Sequence, residues 1–363
     1  FLDNSLCLKN RKYISNKMEI IVVNLRIAAI DIGSSSIRMS IAELTDKGLT
    51  LLESLRQPVR LGKDTFYKGK ISRHTTNEAI LILKKYKRLC EEYKVDKIKT
   101  VATTAVREAA NSNIFIDNIR TYLGMDADIL SSTGECELIY RALIHNIEKA
   151  GNLKEDEYYA AIEVGAGNVQ ISLFNDDHIV FFKSLPFGSL KIKQIYSKYS
   201  KNEANFFRYV RVIVNNELRS LKKEIPNLKI KTLYGIGSEL EDISKNLYGV
   251  TEDILPIDRE DYKRFCSKIQ NYTEDEIIHK LNIRYDLSET FYASNMMFLK
   301  IMNFFNIDKL HISKVSLRDG ILIEMINKED RENFFKKLEN QLQITAFNIG
   351  KSLKFDEKHS AKV

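Results

Sequence analysis

The chain has 363 residues, of which 44% are hydrophobic and 29% charged, and a formal net charge of +7. That length favours two domains over one core, and the lack of an apolar run of about 18 residues excludes a membrane-spanning helix. Four scattered cysteines, Cys7, Cys90, Cys136 and Cys266, have neither CxxC spacing nor the density of a secreted disulfide scaffold, which points to reduced thiols and a cytoplasmic protein with no membrane partner.

In chain order, residues 1–21 read as an N-terminal extension ahead of the first strand. Arg26 to Leu44, RIAAIDIGSSSIRMSIAEL, alternates apolar and polar positions about a small-residue turn, which predicts a hairpin of two half-buried strands. Thr75 to Tyr93 carries Ala79, Ile80, Leu83, Tyr86 and Leu89 at helical spacing. A strand is expected over Ile98 to Thr103, a helix over Ser112 to Leu123 and a strand over Asp126 to Leu130. This alternation argues for α/β architecture.

Tyr159 to Phe174, YAAIEVGAGNVQISLF, repeats the first hairpin, so that Asp31 to Ser40 runs parallel to Glu163 to Ser172. Two such hairpins suggest two copies of one domain facing each other. Small residues at a tip let backbone N–H groups approach phosphate oxygens, and an acid beside the tip can hold a cation or water. Farther on, Phe206 to Ile225 reads as a long helix, Lys231 to Tyr234 as a strand, and Arg259 to Phe305 as mostly helical. Lysines and arginines crowd the stretch from Lys183 to Lys223. Lys191, Lys193, Arg208 and Arg211 are the candidate polyanion surface there, an ordinary solvated face being the alternative. Such a field would draw nucleic acid too, although no nucleic-acid partner is expected.

Asp31-Ile-Gly-Ser-Ser-Ser-Ile-Arg38 resembles the first phosphate-binding hairpin of the exopolyphosphatase and guanosine pentaphosphate phosphatase family, through Asp31, Gly33, Ser34, Ser36 and Arg38. Ala102-Thr-Thr-Ala-Val-Arg-Glu-Ala-Ala-Asn111 is similar to a more distinctive segment of that family. Arg107 offers a fork for phosphate oxygens there and Thr103 a hydroxyl. Ile129-Leu-Ser-Ser-Thr-Gly-Glu-Cys-Glu-Leu-Ile-Tyr140 resembles the segment that carries the general base, which falls on Glu135, with Gly134 where the family has a preceding glutamate. Leu185 to Leu190, Gly235 to Ser238 and Val315 to Leu322 match more weakly, with Asp319 where glutamate is usual.

The resemblance implies two similar ribonuclease H-like domains of the actin-like ATPase superfamily, with an interdomain cleft and a helical C-terminal tail. The expected units are 22–130 with about 312–328, and 131–311. It further implies hydrolysis of the terminal phosphate of polyphosphate or guanosine pentaphosphate. Arg38 and Arg107 would neutralise that phosphate, Glu135 would activate water, and Mg2+ would sit at Glu163 and Asp31. Gly165, Gly167, Asn168 and Gln170 would grip phosphate from the second hairpin. A homodimer is compatible with it. Residues 329–363 are expected to be a helical tail, and Gln341 to Val363 resembles the opening of an HD-like domain of longer members.

The second hairpin departs from the family's Asp-Ile-Gly-Gly-Gly-Ser-Thr-Glu. Glu163 is one methylene longer than aspartate, Gln170 loses a charge, and Ala166 and Asn168 enlarge the tip. An impaired relative that binds polyphosphate or guanosine pentaphosphate as a sensor is therefore the second reading. An ATP-dependent kinase or ATPase of the same fold is the third.

Overall fold

The first hairpin forms as expected from strands Leu25–Ile32 (β1) and Ser36–Thr45 (β2), and Gly48–Pro58 (β3) extends it. In this computed structural model, residues 25–326 are described except 46–47, 155–156, 177, 200–202 and 250–252. The N-terminal extension and the tail fall outside the described residues. Next come helices Leu61–Lys68 (α1) and Arg73–Glu92 (α2), strand Lys97–Ala102 (β4), helices Thr104–Arg107 (α3) and Ser112–Leu123 (α4), and the two-residue strand Asp128–Ile129 (β5). These strands make one sheet in the order β3-β2-β1-β4-β5.

Helix Ser132–Lys149 (α5) leads to a second set of strands, Tyr158–Val164 (β6), Val169–Phe174 (β7) and Ile179–Leu185 (β8). Helices Ser189–Ser197 (α6) and Glu203–Glu224 (α7) follow, then strand Ile230–Ile236 (β9), helix Ser238–Leu247 (α8) and strand Ile254–Asp258 (β10). Four helices complete the predicted helical region: Arg259–Ile269 (α9), Glu274–Leu281 (α10), Tyr285–Ser288 (α11) and Phe291–Phe305 (α12). Strand Lys309–Ser313 (β11) and helix Leu317–Ile326 (α13) close the described fold. The second sheet has the order β10-β11-β9-β6-β7-β8. Each sheet thus contains three consecutive antiparallel strands and a parallel crossover partner, β4 beside β1 and β9 beside β6. The repeat seen in two short segments is a repeat of topology.

Two expectations are corrected. β1 is not half-buried. Ala28, Ile30 and Ile32 enter a core with Ala79, Leu83 and Tyr86 of α2, while Ile27 and Ala29 enter another with Leu143 of α5 and Ile321 of α13. Helices on both faces require a strand apolar on both faces. The strand near residue 312 was expected to rejoin the first unit, yet β11 pairs with β9 and β10. Only α13 packs toward the first sheet.

The second of those cores also holds Tyr159, Ala161, Phe174 and Tyr234 of the second sheet. α5 and α13 therefore lie between the two sheets, and the position of α5 fixes where its first turn points. The two helices approach so closely that a Cβ on Gly320 would stand 2.0 Å from the Leu138 carbonyl oxygen. No helix of the described residues is long and apolar enough to cross a membrane.

Candidate active site

Strand register places the hairpin acids in equivalent positions. Asp31 lies opposite Arg38 in the first hairpin, and Glu163 lies opposite Gln170 in the second. Their tips face each other across a cavity of about 80 Å³, which Asp31, Gly33, Ser34, Arg38 and Thr103 line from one side and Glu163, Gly165, Gly167 and Asn168 from the other. Glu135 reaches the same cavity from the first turn of α5. Ser131 caps that helix, its Oγ accepting a hydrogen bond from the Gly134 N–H at 3.0 Å.

The start of α3 touches the second tip. Thr104 Oγ1 donates to Asn168 Oδ1 at 3.1 Å, and Asn168 Nδ2 donates to Ser184 Oγ at 3.1 Å. A Cβ on Gly167 would lie 2.6 Å from Thr104 Cγ2, so this approach needs glycine.

Both oxygens of the buried Glu135 carboxylate are engaged. Arg107 Nη1 donates to Oε1, and Gln170 Nε2 donates to Oε2 at 2.8 Å. Arg107 is itself fixed by the Leu130 carbonyl at 2.6 Å and Thr104 Oγ1 at 3.1 Å. Burial pushes the Glu135 carboxyl up to about 7 against the opposing pull of the Arg107 charge. Glu163 is pushed up to about 8 by burial first and then by the charges of Glu135 and Asp31. A carboxyl titrating near neutrality can accept a proton from water and release it again.

The group implied by the resemblance is a divalent cation. Among the described residues no three acidic, histidine or cysteine side chains converge closely enough to chelate a metal by themselves. Asp31 Oδ1 and Gln170 Oε1, however, are buried acceptors with no hydrogen-bond partner among the described residues. Asp31 and Glu163 both line the cavity, and their oxygens are of the hard type that Mg2+ takes.

Some residues read from the sequence stand one layer back. Ser36 is buried and its Oγ accepts from Arg38 Nε at 3.1 Å, so it supports that guanidinium. Arg107 and Gln170 bond Glu135 as described. The basic residues do not act as one free surface. Lys191 pairs with Glu108 at 2.7 Å and Lys193 with Glu274 at 2.7 Å. Arg211 donates to Gln270 at 2.9 Å, while Arg208 is exposed.

Among the other residues of the cleft, Arg56 and Glu241 fall outside every matching segment, while Ser238 ends the weak Gly235 to Ser238 match. Ser238, Glu241 and Ser316 complete the cavity wall. Arg56 bridges the halves, bonding Asp286 through Nε at 2.9 Å and Ser238 Oγ at 3.1 Å, and burial followed by the Arg38 charge brings it down to about 10. Arg318 Nε donates to Ser40 Oγ at 2.9 Å, and its Nη1 is buried without a partner among the described residues. The available signal was the Val315 to Leu322 segment, which contains Ser316 and Arg318.

Two α/β halves of like topology thus face each other across a small cavity lined by Asp31, Glu135 and Glu163. A model of the Ppx/GppA phosphatase family matches residues 40–329, and the chain belongs to that family. It is similar to the guanosine-5'-triphosphate,3'-diphosphate pyrophosphatase of Photobacterium profundum, with 19% identity over 322 residues, which is 87% of this chain and 63% of that protein. The chain thus spans less than two thirds of that relative's length. Two solved structures share the fold. One is a Cytophaga hutchinsonii exopolyphosphatase, with TM-score 0.73, 20% identity and coverage of 83% of this chain and 97% of that one. The other is the Aquifex aeolicus member of the Ppx/GppA family, with TM-score 0.69, 22% identity and coverage of 84% and 98%.

Proposed function

We propose that this protein releases the terminal phosphate of inorganic polyphosphate or guanosine pentaphosphate by attack of water in the cleft between its two halves. The observation that carries this reading is the buried Glu135 carboxyl, held between Arg107 and Gln170 on the floor of the cavity between the hairpin tips. Glu135 takes a proton from water, the water oxygen bonds to the terminal phosphorus, and the bridging P–O bond breaks toward the shortened chain. Gly33, Gly165 and Gly167 let backbone N–H groups approach the phosphate, and Arg38 offsets its charge. Arg107 keeps Glu135 aimed at the water. Asp31 and Glu163 would hold Mg2+, whose charge lowers the cost of negative charge on the transferred group. The buried free thiols of Cys90, Cys136 and Cys266 support the cytoplasmic setting that belongs to this reading.

One observation favours a second reading. Both Glu135 oxygens already accept hydrogen bonds, one of them from an amide where the family has a carboxylate, and this suits a sensor that binds the anion without cleaving it. Phosphate release from long-chain polyphosphate and from guanosine pentaphosphate, with and without Mg2+, separates the two. Turnover of either substrate supports the hydrolase. Saturable binding with no release supports the sensor.

A further inference from the structure

The first turn of α8 borders the catalytic cavity through Ser238 and Glu241, which stand three residues apart on one face of the helix. Four arginines surround that turn. Arg56 Nη1 donates to Ser238 Oγ at 3.1 Å, and Arg284 Nη2 donates to the Ser238 carbonyl at 3.2 Å. Arg38 lies directly across the β2–β3 ladder from Arg56, so both side chains leave the same face of the sheet. Arg318 reaches that face from α13, its Nε donating at 2.9 Å to the Oγ of Ser40, two positions along β2 from Arg38. Like charges placed this close repel one another, and acids must offset them.

Helix α8 supplies three acids to the cluster, Glu239, Glu241 and Asp242. Asp242 pairs with Arg284 at 2.9 Å. Glu239 is buried, and its Oε1 accepts from Thr290 Oγ1 at 3.4 Å. Glu241 has neither an ion pair nor a hydrogen bond among the described residues. Burial pushes its carboxyl up, and the charges of Arg38, Arg318, Arg284 and Arg56 pull it back. The guanidinium groups keep bonding capacity as well. Arg318 Nη1 is buried with no partner among the described residues, and Arg38 Nη1 stands 3.9 Å from Asp31, beyond hydrogen-bond distance. An unpaired carboxylate thus shares the cavity wall with Arg38 and lies within the field of three more arginines.

We propose that Glu241 limits how tightly the cavity holds phosphate, so that the product of hydrolysis leaves. Its carboxylate competes with a bound anion for the arginine charges and repels that anion across the cavity. A carboxylate that only held the arginines in place would act in the opposite sense, because its loss would scatter them and weaken the anion's grip. The proposal rests on the hydrolase reading for the identity of the anion and deepens it by assigning a residue to product release.

Dissociation constants of inorganic phosphate and tripolyphosphate would be measured by titration calorimetry on the unmodified chain, Glu241→Gln and Glu241→Asp, with melting temperatures taken with and without phosphate. Glu241→Gln is expected to tighten both anions about tenfold, a gain of about 1.4 kcal/mol, and to enlarge the rise in melting temperature that phosphate produces. Glu241→Ala, a second neutral variant, should do the same, and Glu241→Asp, which keeps the charge, should bind both anions as the unmodified chain does. Weaker or unchanged binding in the neutral variants overturns the proposal. If no variant releases phosphate from polyphosphate yet the neutral variants bind both anions more tightly, the hydrolase reading fails and the role of Glu241 in anion affinity stands. If phosphate is released while the neutral variants leave both constants unchanged, the role of Glu241 fails and the hydrolase reading stands.

Discussion

The two hairpins hold acids in the same register but treat them differently. Asp31 faces an arginine, with Arg38 Nη1 at 3.9 Å from its Oδ2. Glu163 faces the neutral Gln170, and burial together with the nearby Glu135 and Asp31 charges pushes its carboxyl up to about 8. One hairpin thus carries its own countercharge, and the other leaves an acid to be compensated by whatever enters the cleft. The lesson is that a repeat of fold need not repeat electrostatics.

The comparison breaks most visibly at Arg38. Arg38→Ala removes the guanidinium that lines the cavity and is expected to lower kcat/KM by about 10²–10³-fold, the scale of losing one preorganised charge donor, as read from initial rates of phosphate release. Gln170→Glu makes the second hairpin acid-on-acid and takes a hydrogen bond from Glu135. The rising limb of the pH–rate profile, expected through about 7 in the unmodified chain because Glu135 must be ionised, should then move to higher pH. An unmoved limb would remove Gln170 from control of Glu135.

Glu163 adds a stability consequence. Its folded carboxyl titrates about 8 against an ordinary 4.5, so between those values the folded state holds a proton that the unfolded state has lost. Stability therefore falls as pH rises through that window. In Glu163→Gln the fall in melting temperature between pH 5 and pH 8 should shrink. The smallest effect is expected at the contact between α3 and the second tip. Thr104→Val deletes the 3.1 Å bond to Asn168 and the 3.1 Å bond from Arg107, at a cost of about 1–2 kcal/mol in stability from a denaturation curve.

Much of this was legible in the chain itself. The hairpins, α2 and α4 announce themselves because tips of small residues and periodic apolar residues are local signals, while Glu135 was found through the resemblance of Ile129 to Tyr140 to the segment that carries the general base. Long-range pairings are not. Nothing near Arg56 in sequence reveals that it meets Asp286, and nothing near Lys191 or Lys193 reveals Glu108 and Glu274. The basic stretch looked like a surface for that reason. β1 looked half-buried because small residues such as Ala28 and Ala29 weaken the apolar signal on both faces, while only the fold shows that helices cover both. β11 was assigned to the wrong sheet because five residues carry no record of their neighbours.

The most direct test of the account is single-turnover phosphate release by Glu135→Gln alongside equilibrium binding of the same anion. The account predicts a release rate lower by about 10²–10⁴-fold, the range for loss of a general base, with binding retained. Release at the unmodified rate would contradict it, and the water-activating group would have to be sought elsewhere in the cleft.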